Sequence, residues 1–286
     1  GMAGVPVDDD IAYTLLGLLI GEDHGPGFTT ADVGTAWLRY LPYACTAEDV
    51  ALRNLRAGVP AARAAQIGNP YREWIGADIR SDPWGYMAPG WPERAAEMAY
   101  RDAYLSHRRQ GIYGEMFFAA AIAAAFAVDD PVEALRIGLT EIPRECALAK
   151  AVRWALREAP RIPDFAAARA AVERRFAGMH SVHTINNACL TIWGLTIGGR
   201  DVTLLPAGAR NVSMVFQSYA LFPHMTVEQN VAYGLVSSGM RKRDALAKAE
   251  ATLETVGLKG FGTRLPSQMS GGQQQRVAVA RALVLE

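Results

Sequence analysis

Nine stretches in the first two hundred residues, 11–20, 30–41, 47–55, 93–106, 114–128, 132–139, 146–156, 165–176 and 183–197, are apolar at helical spacing or nearly throughout. A chain that spends its apolar residues this way has little left for strands, and the pattern predicts helix packed on helix. The longest apolar run, residues 116–128, has 13 residues. A membrane-spanning helix needs about 20, so this run reads as a buried helix. Helix starts agree with the pattern: Asp130-Pro131 sets an acceptor before a proline at the first helical position, and Thr46-Ala-Glu-Asp49 has the form of a capping box. Residues 68–92, rich in Gly, Pro, Trp and Tyr, are expected to form an irregular binding loop.

Half of the 286 residues are hydrophobic and a fifth are charged, a globular profile that excludes disorder over most of the length. Basic and acidic residues balance at 29 each, so net charge points to no nucleic-acid or membrane-surface partner. The balance hides a split: residues 204–286 hold nine basic against five acidic residues, residues 1–203 hold 20 against 24, and all six tryptophans lie in the first part. Two units are expected, 1–203 and 204–286. The second opens with a β-prone segment, 212–216, turns at Pro223-His224, and continues as helices from Thr226, over 244–256 and after Ser270. Cys45, Cys146 and Cys189 are distant from one another and odd in number, which suits reduced thiols. Gly1, ahead of Met2, is set aside; the acidic N-terminus is no secretory leader, and a cytoplasmic location is expected.

Asp8-Asp9-Asp10 stands directly before the first apolar helix. One aspartate there would cap the helix and suit its dipole. Three adjacent carboxylates repel one another unless a cation sits among them, and hard oxygen ligands imply Mg²⁺, Mn²⁺ or Ca²⁺. Both readings stand on the spacing.

Asp8-Asp9-Asp10-Ile11 resembles the first metal-binding motif of the ADP-ribosylglycohydrolase family. Ile75-Gly-Ala-Asp-Ile-Arg80, Asp82-Pro-Trp-Gly-Tyr-Met87 and Asp102-Ala-Tyr-Leu-Ser-His107 resemble its middle segments. Gly111-Ile-Tyr-Gly-Glu115 and His183-Thr-Ile-Asn-Asn-Ala188 resemble two further stretches, and the likeness covers about residues 5–203. The resemblance implies an all-α bundle that hydrolyses the N- or O-glycosidic bond between ADP-ribose and a protein side chain or small acceptor, using Mg²⁺ or Mn²⁺ to activate water. It implies Asp8 and Asp9 as catalytic and metal-binding, with Asp10 in the metal set. It implies Gly85, Tyr86, Met87, Ser106 and His107 as substrate-binding. Glu115 reads as part of a glycine-flanked turn, and His180 with His183 as a helix start rather than a metal pair. Val7 stands where the family has threonine, no glycine-rich motif precedes the acidic cluster, and Asp244 is the one aspartate after residue 203, so the family's second Asp-x-Asp motif is missing. Weak or single-ion binding and an impaired hydrolase are expected, with self-association through uncovered apolar helix faces.

Met214-Val-Phe-Gln-Ser-Tyr219, followed by Leu221-Phe-Pro-His-Met-Thr-Val227, resembles the Q-loop region of ABC-transporter ATPase subunits. Met269-Ser-Gly-Gly-Gln273 and the residues after it resemble their signature motif. The likeness implies nucleotide contacts from Gln217, Ser270, Gly271, Gly272 and Gln273, with a phosphate at a helix N-terminus. It also implies an ABC membrane subunit as partner. No Gly-x-x-x-x-Gly-Lys-Ser/Thr loop occurs, so ATP hydrolysis is not expected. Residues 198–203 fit both families, which suggests a chimera joined at this shared word by recombination or read assembly. The expected fold is mainly α: a glycohydrolase-like bundle followed by a partial, mostly helical ATPase fragment with a short β segment. The alternatives to a hydrolase are an ABC ATP-binding component and a noncatalytic chimeric helical protein.

Overall fold

The computed structural model describes residues 9–196, 221–222 and 225–284. Contacts divide the chain into two compact units, Gly1–Leu204 and Leu205–Glu286. Both are helical, and among the described residues the strand-like pairing is one isolated bridge, between Trp74 and His183. The expected strand at 212–216 lies outside the described residues.

The first unit contains α1 (Asp9–His24), α2 (Thr30–Tyr40), α3 (Thr46–Arg56), α4 (Ala61–Ala64) and α5 (Asp82–Tyr86). It continues through α6 (Pro92–Ala103), α7 (Gln110–Ala124), α8 (Pro131–Gly138), α9 (Ala147–Glu158), α10 (Phe165–Arg175) and α11 (Thr184–Thr196). Each of the nine apolar stretches is a helix. The chain is punctuated as the residues dictate. Asp130 Oδ1 accepts from Val132 N at 2.8 Å before Pro131, and Asp164 Oδ1 accepts from Ala167 N at 2.8 Å. Two large apolar cores result, beside a small one at Ala77, Ala103 and Ile112. Trp37, Trp84 and Phe28 centre one among α1–α3, α5 and α6; Phe117, Ile192 and Trp193 centre the other among α7–α11. In α9, Leu148, Ala151, Val152 and Ala155 are buried at the spacing of one helix face, and Trp193 Nε1 donates to the Ala155 carbonyl at 2.8 Å.

Three expectations change. Thr46 is not an N-cap: Cys45 holds that position without a side-chain bond, and Thr46 has φ +44°. Asp49, which would complete the box, pairs with Arg53 instead, and its neighbour Glu48 is drawn into a buried ion pair with Arg80. Residues 68–92 are not irregular throughout, because residues Ile75–Arg80 form a 3₁₀ turn that leads into α5. Glu115 lies inside α7, fully buried, rather than in a turn. The glycines flanking it serve close packing. A Cβ on Gly114 would stand 2.0 Å from Asp78 Oδ1, so only glycine lets the 3₁₀ turn lie on α7.

The second unit packs α12 (Val227–Ser237), α13 (Lys242–Thr255) and α14 (Gly271–Leu283) around Val231, Leu253 and Val277. Thr226 and Gln229 form a reciprocal capping box at the start of α12. Asn230, with no exposure, ties down the segment ahead of it: its amide donates to the carbonyls of Phe222, Met225 and Thr226 and its oxygen accepts from Phe222 N.

Candidate active site

The motif segments converge on residues 72–87. Ile75 N donates to Val182 O at 2.9 Å and Thr184 N to Glu73 O at 3.2 Å, which fastens this segment to the start of α11. His180 stacks on Trp74 with ring centres 4.2 Å apart. His183 Nδ1 accepts from Ile185 N, while Asn186 and Asn187 donate to the carbonyls of residues 180, 181 and 183. The His183–Ala188 stretch therefore acts as a clasp, and His180 and His183 face different partners.

Beneath the clasp lies an ionic centre. Arg80 is 2 % exposed; its Nε donates to Asp102 at 2.7 Å and its Nη1 to Glu48 at 2.9 Å and to Ser106 Oγ at 3.1 Å. Burial alone would discourage its charge, but the surrounding carboxylates, Asp102 foremost, hold it protonated. Glu115 Oε1 accepts from Trp84 Nε1 at 2.8 Å, and its other oxygen is 3.5 Å from Arg80 Nη2. Burial, then the neighbouring Asp102 charge, push Glu115 well above the usual carboxylate range. Both causes favour its protonated form, while Arg80, 3.5 Å away, opposes them. Ser106 Oγ accepts from Arg80 and lies 2.8 Å from His107 Nδ1, a hydrogen bond whose direction follows the imidazole tautomer. Burial, reinforced by Arg80 and Arg108, pushes His107 well below the ordinary imidazole value, and it is neutral. Ser106 and His107, expected at the substrate, are fully buried inside this network. They can act on a ligand only by positioning the backbone around it.

Above the ionic centre opens a cavity of about 390 Å³ between the 75–82 segment, α7, α8 and α11. Its walls are mostly apolar, with Ile122, Phe118 and Leu135 among them, and its polar groups include Asp78, Ser81 and Asp82. Asp78 is 7 % exposed; Oδ1 lies 3.4 Å from Thr184 Oγ1, and Oδ2 has no hydrogen-bond partner among the described residues. Burial pushes its carboxyl well above the usual range, and half-burial raises Asp82 too. An apolar pocket with a few convergent polar groups is the form that small-molecule sites take. Neither carboxylate had been given a role from sequence. Gly85 does not reach this cavity: a Cβ there would stand 2.5 Å from Ile122, so the glycine allows α5 to press on α7. Tyr86 is 52 % exposed, edge-on to Phe126, and Met87 Sδ packs against Gly21.

Helix α1 runs alongside this segment in the same direction. Tyr13 lies under the Arg80 guanidinium, Gly17 meets Pro83, and Gly21 meets Met87. Asp9 and Asp10 form the first turn of α1, one turn before Tyr13; Asp8 lies outside the described residues, as does Gln217. Among the described residues no three Asp, Glu, His or Cys side chains gather as a metal-binding group.

In the second unit Ser270 and Gln273 cap α14 reciprocally, with Gln273 Oε1 2.9 Å from Ser270 N and Gly271 and Gly272 opening the helix. Met269 sits in the core of that unit at 7 % exposure, a position that any apolar side chain of its size can fill.

The sequence model described as ADP-ribosylglycohydrolase matches residues 4–207, and the one described as ABC transporter matches residues 193–286. The two matches overlap over 193–207, which contains the shared word at 198–203. An Fe(3+) ions import ATP-binding protein, FbpC 1 of Rhizobium meliloti, is 70 % identical over 92 residues, 32 % of this chain and 26 % of that protein. FbpC of Agrobacterium fabrum shows the same identity over the same length, and FbpC of Brucella abortus likewise. The chain thus spans about a quarter of the length of these curated relatives. Among the described residues no helix is long and apolar enough to cross a membrane.

Proposed function

Since the chain belongs to the ADP-ribosylglycohydrolase family over residues 4–207, we propose that its first unit binds an ADP-ribosyl compound in the cavity beside Asp78 and Asp82, at the foot of α1. The observation that carries this reading is the buried, unpartnered Asp78 Oδ2 in an otherwise apolar cavity of ligand size. The parallel run of α1 supports it, because the acidic cluster begins that helix at the end nearer the 75–80 turn. The reaction class is hydrolysis of the N- or O-glycosidic bond of ADP-ribose. The family is metal-dependent, and Asp8, Asp9 and Asp10 are the proposed ligands for Mg²⁺ or Mn²⁺, which would supply a polarised water when bound.

The residues on the page divide the remaining work. Asp78 and Ser81 offer a donor and acceptors to a polar group entering the cavity, and Phe118, Ile122 and Leu135 exclude water around it. The Arg80 centre, with Ser106 and His107, keeps the 75–87 segment in place. Weak or single-ion binding is proposed, because no second Asp-x-Asp motif follows the His183–Ala188 stretch. The second unit carries a fragment of an ABC-transporter ATPase without a Gly-Lys phosphate loop, and we propose no ATP turnover by it. A cytoplasmic location, contact with a transporter membrane subunit, and self-association through Ile11, Leu15 and Leu18, exposed along one side of α1, complete the reading.

Calorimetric titration of ADP-ribose with and without Mg²⁺, with ATP as control ligand, tests the proposal. Mg²⁺-dependent heat with ADP-ribose is expected, and silence toward it at millimolar concentration would sink the reading. Where turnover is measurable, Asp8→Asn or Asp9→Asn should abolish it; unchanged turnover in both would exclude these carboxylates.

A further inference from the structure

A second cavity, of about 760 Å³, lies between the end of α8, the turn after it and the outer face of α9. Four arginines line it, Arg136, Arg144, Arg153 and Arg157, over an apolar floor that includes Ile142 and Leu156. Among the described residues no carboxylate lines it. Four guanidinium groups around one concavity repel one another, and helix-end electrostatics account for only part of the arrangement. Arg136 and Arg157 stand in the last turns of α8 and α9, where a cation suits the helix dipole. Those two ends contribute about −0.5 charge each, against four full positive charges. Glu133 pairs with Arg136 at 3.4 Å and Glu145 approaches Arg144 at 4.0 Å from the rim, and the balance stays positive. Arg153 is held in place by donating to the Arg144 carbonyl, and Arg157 makes no ion pair with any described residue. Across α9, Arg161, Arg174 and Arg175 border a further cavity in which Glu158 pairs with Arg161 at 3.1 Å, so two of those three charges stay in excess there.

We propose that this concavity is an anion site for a ligand carrying two adjacent phosphates on an apolar, planar group: a nucleoside diphosphate. Guanidinium groups grip phosphate oxygens bidentately, and two phosphates engage several arginines at once. The apolar floor takes the base, which a bare inorganic anion would leave unused. The volume falls in the range of about 300–1,000 Å³ common to small-ligand pockets. The site stands independently of the cavity at Asp78 and needs no metal.

Titration of ADP into the full chain without divalent cation tests it, beside inorganic pyrophosphate and adenosine. ADP should bind in the micromolar range, pyrophosphate about tenfold more weakly, and adenosine not measurably. Arg136→Glu and Arg157→Glu should each weaken ADP at least tenfold, while Asp9→Asn leaves it unchanged. Both arginines are exposed, and if circular dichroism shows either reversal unfolded, Arg157→Gln should still weaken ADP threefold or more. No ADP binding at millimolar concentration, binding that the arginine variants leave untouched, or adenosine binding as tightly as ADP would overturn the site. So would affinity for a nucleic acid or phosphoprotein with none for ADP. Loss of Mg²⁺-dependent ADP-ribose binding in Asp9→Asn, with ADP binding intact, would separate this site from the one at Asp78.

Discussion

Each unit organises a functional segment around one buried polar side chain, Arg80 in the first and Asn230 in the second, and the two centres are built on opposite principles. Asn230 is neutral and saturated: its two donors serve three carbonyls and its oxygen takes the Phe222 N–H, all between 2.7 and 3.1 Å. Nothing in it titrates. Arg80 gathers Glu48, Asp102 and Glu115 from three separate helices, one positive charge against three acidic groups. Burial and the Asp102 charge favour the protonated form of Glu115, which cuts the excess negative charge of the cluster from two to one. A buried amide fixes local geometry at little electrostatic risk. A buried guanidinium can tie together helices far apart in sequence, and makes the segment it holds depend on a protonation state.

Removing the guanidinium should give the largest effect. Arg80→Met leaves Glu48 and Asp102 buried without a partner, and breaking a buried ion pair from one side costs about 3–5 kcal/mol. Since domains hold only about 5–15 kcal/mol in reserve, the first unit should lose much of its stability. All six tryptophans belong to residues 1–203, so tryptophan emission during urea unfolding reports that unit selectively. A midpoint within experimental error of the wild type would show that the network is not the keystone described above.

Asn230→Leu should cost less, about 2 kcal/mol. It removes four hydrogen bonds, but Leu221, Phe222, Met225 and Thr226 are only half-buried and water can replace part of what is lost. Hydrogen exchange should rise at the start of α12 and at the backbone N–H of Phe222, equally at pH 5 and pH 8, because among the described residues the amide bonds only to backbone groups. A clear pH dependence in that exchange increment would dissolve the contrast between the two centres.

The helices of both units were legible in the sequence because apolar period needs no knowledge of partners. Their ends were legible where a local acceptor decides them, as at Asp130, Asp164 and Thr226. Thr46 is no cap because α3 already begins with it: Glu48 in that first turn is held by an arginine 32 residues away, and no local signal reports that partner. The 68–92 segment was misread for the same reason. Its glycines and aromatics look irregular alone, yet they fit α7, α11 and the Trp74–His180 stack. The ionic centre did leave a trace: Glu115 stands alone in the apolar helix 110–124, and Asp102 on the buried side of α6. A single carboxylate on an apolar face asks for a buried cation, and Arg80 in the Ile75–Arg80 motif was available. Ser106 and His107 were visible as a motif, but their burial could not be seen until Arg80 had been placed beside them.

The smallest effect is the most specific. Glu115→Gln copies the shape of the protonated acid: its oxygen can still accept from Trp84 Nε1, and its NH₂ can donate to Asp102 as the carboxyl O–H does. A carboxyl whose folded pKa is raised contributes stability that is fully present below its unfolded value, about 4.5, and lost as pH rises through the folded value. Within that window the wild type loses up to about 1.4 kcal/mol per pH unit relative to the amide, which cannot titrate. The variant should therefore match or fall slightly below the wild type near pH 4, and gain on it steadily as pH rises. Urea midpoints from tryptophan emission at pH 4, 6 and 8 would show the two curves converge and cross. Parallel curves would mean that Glu115 is ionised against Arg80 after all, and that the ionic centre holds its charges by pairing rather than by withholding one.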